Sequence, residues 1–179
     1  MGTTDKPLIM DTRNIGIRKT SFENTIENIL NIWEMQLNNH TTDQIKKNRE
    51  LIKLYFRDVW SQGNLDLLDE IIAEDYINHN PGSPNPEPGP RGLKPIIREM
   101  RKGFPDLHYE IMDLVVTENK VVARTIVRGT HLGELWGLEP TGKRFEISQI
   151  NMEHLRNGKI VEHWRVTDEL GLMKQLGFI

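Results

Sequence analysis

At Pro105 the apolar residues change period. Before it they recur every three or four positions, and after it they alternate with polar ones. Helices therefore come first and an antiparallel sheet last, which is the α+β class with helices packed on one face of a curved sheet. In the second half, "LHYEIMDLVVTENKVVARTIVRGTH" holds two β-rich runs about the turn "TENK", a hairpin signature. The loop "LGELWGLEPTGKR" leads into a final hairpin, "FEISQINMEHL" with "IVEHWRVTD".

The first half divides by the same reading. Residues 1–20 are polar and aperiodic, a loosely held tail. Residues 21–40 form an extension helix, capped by Ser21, with Phe22, Ile26, Ile29, Trp33 and Leu37 on one stripe that is expected to pack on the domain or across a dimer. The domain proper spans 41–179. Its first helix starts near Thr41, where Thr41 and Gln44 have capping-box spacing, and turns Leu51, Ile52, Tyr55, Phe56 and Val59 inward. A third helix covers "NLDLLDEIIAEDY" with Asn64 as cap, followed by a short strand "YINHN". "PGSPNPEPGPRG" is too rich in Pro and Gly for either structure and reads as a mobile rim; "LKPIIREMRKGFPD" resumes as helix with Pro95 in its first turn.

Composition narrows the function. The 23 basic and 26 acidic residues give a net charge of −3 with no long single-sign run, which argues against nucleic acid as a partner. The N-terminal segment has no apolar run long enough for a signal or a membrane span, so a soluble cytoplasmic protein is expected. With no cysteine there is no disulfide, thiolate nucleophile or Cys-bound zinc. His79, His154, Glu162 and His163 lack HxxxH or HExxH spacing, and no metal is expected.

The register of the last hairpin decides which residues face together. A two-residue turn at Asn157 and Gly158 would pair Arg156 with Lys159 and set His154 and Asp168 on opposite faces. A three-residue turn with a bulge at Gly158 flips the parity. It gathers Ile150, Met152, Ile160, Trp164 and Val166 on one face, with Asn151, Glu153, His163 and Arg165 opposite. Because a half-buried sheet segregates apolar from charged side chains, the bulged register is expected, with His154, Glu162 and Asp168 on an apolar concave face.

The stretch "GTHLGELWGLEPTGKRFEISQINMEHLRNGKIVEHWRVTDELGLMKQLG" resembles the SnoaL-like polyketide cyclases, with their Gly-Lys-Ile-x-Glu-x-Trp run, an Asp, then Gly-Leu and Gln-Leu-Gly. Weaker similarity extends back to about residue 46. The resemblance implies the cone-shaped, cystatin-like α+β barrel of the nuclear transport factor 2-like fold around an apolar pocket. It also implies an intramolecular aldol closure by acid/base catalysis, without cofactor. Position by position, the family's acid/base aspartate falls on Asp168 and its histidine partner on His154. Its pocket asparagine falls on Asn80, with His79 or Asn78 as alternatives. Met152 stands where some members carry glutamine, a departure that bears on substrate and reaction.

Other readings of the same residues stay open. Asp168 can simply cap a terminal helix "ELGLMKQLG", and His154 can be a core histidine. Glu162 can pair with Arg124 or Arg128. Trp164 and Trp136 are core or pocket-lining aromatics, and Trp136, in its Gly-rich loop, is the best candidate for a ligand contact. The expected function is a cyclase-type enzyme acting on an apolar, ketone-bearing small molecule, as a homodimer. An epoxide hydrolase or isomerase of the same fold and a non-catalytic binding domain are the alternatives.

Overall fold

The computed structural model describes residues 21–82 and 86–179, with Phe22 and Glu23 described in backbone only; the expected tail of residues 1–20 and the middle of the Pro-rich loop lie outside them. The chain divides into two compact units, Met1–His40 and Thr41–Ile179. Helix α1 runs without interruption over Ser21–Leu54, where two helices are expected from the sequence. No Gly or Pro stands between Leu37 and Gln44, so nothing there breaks the backbone ladder.

In the larger unit α1 passes into a π-helical segment, Tyr55–Ser61, which buries Tyr55, Phe56, Val59 and Trp60. Helix α2 is short, Leu67–Ile71, rather than the long third helix expected. Ile72 already belongs to β1, Ile72–Asn78, because its β-branched side chain pairs in parallel with Ile160 and is fully buried there. Tertiary pairing outweighs helix propensity at this point. Helix α3, Gly89–Gly103, starts earlier than expected, so Pro90 takes the first turn and Pro95 sits inside the helix, forgoing a bond to the Arg91 carbonyl.

Strands β2 (His108–Val116), β3 (Lys120–Thr130), β4 (Arg144–Arg156) and β5 (Lys159–Thr167) complete a five-stranded sheet in the order β1-β5-β4-β3-β2, followed by α4, Glu169–Leu176. Only the β1–β5 pairing is parallel. The α+β architecture is the expected one. Its core joins Ile52, Tyr55 and Phe56 to Leu93, Ile97 and Phe104 and to the inner faces of β3 and β4 at Val121, Val127, Phe145 and Leu155. Phe56 stacks on Tyr109 with centroids 5.5 Å apart.

The last hairpin departs from the expected register. Asn157 and Gly158 have φ of 54° and 75°, the left-handed pair of a two-residue turn, and Arg156 does pair with Lys159. One step further, Val161 is inserted as a bulge, and His154 pairs with Glu162. The parity is thus the one that groups His154, Met152, Trp164 and Val166. That group, however, lies on the outer face: Asn151, Glu153 and His163 are buried, while Ile150 and Val166 are 50% and 74% exposed. The inward face of β4 thus carries the polar Gln149, Asn151 and Glu153 between the apolar Phe145 and Ile147 on one side and Leu155 on the other.

The Pro-rich loop presses directly on α3. A Cβ on Gly92 would overlap the Glu87 carbonyl. Gly92→Ala is therefore expected to destabilise the domain by about 1–3 kcal/mol as the loop is pushed away, read as a lowered midpoint of thermal unfolding.

Candidate functional site

A cavity of about 480 Å³ opens between the Pro-rich loop, α3, the loop carrying Trp136, β5 and α4. Pro81, Pro86, Ile96, Met100, Leu172 and Met173 give it an apolar wall with Trp136 at the rim, and Glu87, Arg91, Glu99 and Glu169 add charged groups to the lining. The volume falls in the range of small-molecule sites, roughly 300–1,000 Å³. Trp136 is half exposed and held at φ 53°, a conformation that the tight Leu135–Leu138 bridge imposes on it.

Two polar residues of β5, Arg165 and Thr167, reach this cavity from the sheet. Thr167 accepts from Gln149 Nε2 at 2.9 Å. The Arg165 backbone donates to Asn80 Oδ1 at 2.9 Å, which ties the start of the Pro-rich loop to the sheet. No hydrogen bond or ion pair holds the Arg165 guanidinium among the described residues. It is a cation at the cavity wall with its donors unused.

Deeper in the cone the buried polar row continues. Asn151 donates to Thr125 Oγ1 at 3.2 Å, and Glu153 Oε1 contacts His163 Nδ1 at 2.8 Å. Tyr55, Tyr76 and Tyr109 are buried beside this row. Burial pushes all three phenols up, Tyr109 to about 12, and the neighbouring Tyr55 phenol and Glu153 carboxylate add to the effect at Tyr76. All three stay protonated at neutral pH and so keep an O–H able to donate, and the Tyr76 hydroxyl has no partner among the described residues. A second cavity of about 270 Å³ touches Tyr76 and shares Pro86, Glu87, Gly92 and Ile96 with the first.

The residues singled out in the sequence are not brought together. Asp168 is exposed, and its Oδ1 accepts from Gly171 N at 2.8 Å as the N-cap of α4. Its backbone bonds to Ser148, six residues along β4 from His154, so the two lie roughly 20 Å apart at the strand rise. His154 faces outward opposite Glu162. His79 stacks flat on Trp164, with centroids 4.3 Å apart, and lies 3.7 Å from Glu162. Met152 pairs with Trp164 across the strands on that same outer face. Arg128 takes Glu110 and Glu146 as partners and leaves Glu162 to His79. Of the expected positions only Trp136 lines the cavity, while Asn80 supports its rim through the Arg165 backbone.

A family model described as SnoaL-like polyketide cyclase matches residues 50–176. The chain belongs to the SnoaL-like polyketide cyclase family. It is 30% identical over 136 residues to the aklanonic acid methyl ester cyclase DnrD of Streptomyces peucetius, covering 75% of this chain and 90% of that one. With the nogalonic acid methyl ester cyclase of Streptomyces nogalater it shares 28% over 120 residues, 66% and 89% of the two chains. Among solved structures, TsrD from Streptomyces laurentii superposes with a TM-score of 0.68 at 29% identity, covering 75% of this chain and 97% of that chain. IdmH from Streptomyces antibioticus gives 0.63 at 34%, covering 72% and 97%. The fold is the cone-shaped nuclear transport factor 2-like barrel. Glu153 and His163 are buried and Arg165 lines the cavity, whereas sequence patterning assigned all three to the solvent face. The signal that finds them is the alternation of β4 and β5 read with the opposite face buried.

Among the described residues no group of three or more His, Asp or Glu is placed to hold a metal ion, and no helix is long and apolar enough to cross a membrane.

Proposed function

We propose that the protein closes a ring in an apolar, ketone-bearing polyketide methyl ester by intramolecular aldol addition, using acid/base groups of the chain alone. The observation that carries this reading is the Arg165 guanidinium, without a hydrogen bond or ion pair among the described residues, at the wall of a cavity that joins apolar side chains to Glu87, Arg91, Glu99 and Glu169. A planar cation with free donors there stabilises the negative charge that gathers on a carbonyl oxygen when the neighbouring carbon loses its proton. The apolar wall supplies binding and excludes water, which strengthens that interaction. The family's cyclases and the methyl esters in the names of the relatives supply the substrate class.

The test is direct incubation with aklanonic acid methyl ester and nogalonic acid methyl ester, followed by chromatography with mass detection. Aldol addition moves atoms within one molecule, so the expected product has unchanged mass and a shifted retention. Saturable binding of both esters without any product would make the cone a binding module instead.

We place the protein in the cytoplasm as a homodimer, with the apolar stripe of residues 21–40 as a contact between copies. Ile26, Leu30, Trp33 and Leu37 alternate steps of four and three, the spacing of a helix-pairing seam. Removing residues 1–40 is expected to turn a particle of two chains into one of a single chain, read by size-exclusion chromatography with light scattering, and a truncated protein that still measures as two chains would count against this contact.

A further inference from the structure

The inner face of β5 carries His163, Arg165 and Thr167 two residues apart, so His163 lies one pleat repeat, about 6.7 Å, inward from the cavity-lining Arg165. Directly across the ladder stands Glu153, fully buried, with Oε1 2.8 Å from His163 Nδ1. Its other oxygen, Oε2, is buried with no partner, and so is the Tyr76 hydroxyl. A buried carboxylate with half its acceptors unused destabilises the fold, and an apolar pair of the same volume would pack without that cost. Groups kept in a protein interior at such a cost are candidates for chemistry.

The pairing also fixes the imidazole. A carboxylate oxygen only accepts, so Nδ1 carries the hydrogen and Nε2 carries the lone pair. Nε2 has no hydrogen-bond partner among the described residues, and the side chain keeps about 6% of its surface accessible. A base oriented by a buried carboxylate is the arrangement by which an imidazole takes a proton and is stabilised once charged.

We propose that His163 is the general acid/base of the ring closure, that Glu153 is its positioning residue, and that the Tyr76 hydroxyl donates to the enolate oxygen. This rests on the cyclase reading above. Nε2 removes a proton from a carbon next to a carbonyl group, and the C–H electron pair becomes the enolate, held by Tyr76 and Arg165. The enolate carbon attacks the ketone carbon, forming the C–C bond while the C=O π pair moves to oxygen. The imidazolium returns its proton to that alkoxide. No proton is gained or lost overall, and no oxidant or co-substrate is consumed.

The experiment follows both aklanonic acid methyl ester cyclisation and its deuterium uptake from D₂O, for wild type, His163→Gln and Glu153→Gln, each checked for folding by circular dichroism. His163→Gln is expected to lose at least about 100-fold in kcat, and Glu153→Gln at least about 10-fold with KM unchanged. If wild type cyclises and both variants keep kcat within twofold, the dyad is overturned and the cyclase reading stands. If wild type does not cyclise the ester, the reading falls; the dyad then survives only if wild type still exchanges deuterium into it and His163→Gln does not. Should a variant fail to fold, ¹⁵N spectra of wild-type His163 decide, since a proton on Nε2 with Nδ1 bare at neutral pH overturns the assignment.

Discussion

Arg165→Met is expected to lower kcat/KM for a methyl ester substrate by on the order of 10²-fold or more, with little change in thermal stability. Removing one preorganised donor from a site where charge develops costs about 10²–10³ in rate, because no solvent dipole takes its place during the reaction. The fold has little stake in the guanidinium. Its tie to Asn80 runs through the backbone N–H, which any residue but proline retains, and the side-chain nitrogens have no partner to lose. Met keeps the length and apolar volume of the stem, so an effect on rate with an unchanged melt isolates the charge. Arg165→Lys should recover part of the activity, as a point charge without the planar fork. Steady-state kinetics beside melting curves would settle the matter, and wild-type kcat/KM in Arg165→Met would remove Arg165 from the mechanism.

The class of the fold was legible because it depends on period alone, and the switch at Pro105 survives any error of register. The site was not, and the hairpin shows why. Sorting side chains by hydropathy requires that the buried face be the apolar one. Here β4 and β5 bury Gln149, Asn151, Glu153 and His163 and turn Ile150 and Val166 outward. A binding cone inverts the rule, because its inner wall must carry the polar groups that handle the substrate. The turn misled in a second way. Asn-Gly specifies a two-residue turn from local chemistry, and it forms as such. The bulge at Val161 restores the other parity one pair later, and it has no glycine to announce it. Trp136 was singled out as a candidate ligand contact from its Gly-rich loop alone, and it lies in the lining of the cavity. His154 could not be excluded from the interior, since an odd or even position in the strand was all that distinguished it from Glu153.

Asp168 answers to a test that separates capping from catalysis. The carboxylate accepts the Gly171 N–H at 2.8 Å, and Gly171 is the residue that leaves room for it, since a Cβ there would overlap the carboxyl group. Asn caps a helix about as well as Asp, whereas Ala removes the acceptor at a cost of roughly 0.5–2 kcal/mol. Helix α4 carries Leu172 and Met173 into the cavity wall, so an uncapped α4 loosens that wall as well as the fold. Asp168→Asn is therefore expected to match wild type in both melting temperature and turnover to within a few-fold. Asp168→Ala is expected to melt lower and to raise KM more than it lowers kcat, because a loosened wall weakens substrate binding before it affects proton transfer. His154→Gln, on the outer face roughly 20 Å away, should leave both quantities unchanged. A stable Asp168→Asn variant that has lost about 100-fold or more in kcat would return the acid/base role to the aspartate, because only the acid can exchange a proton.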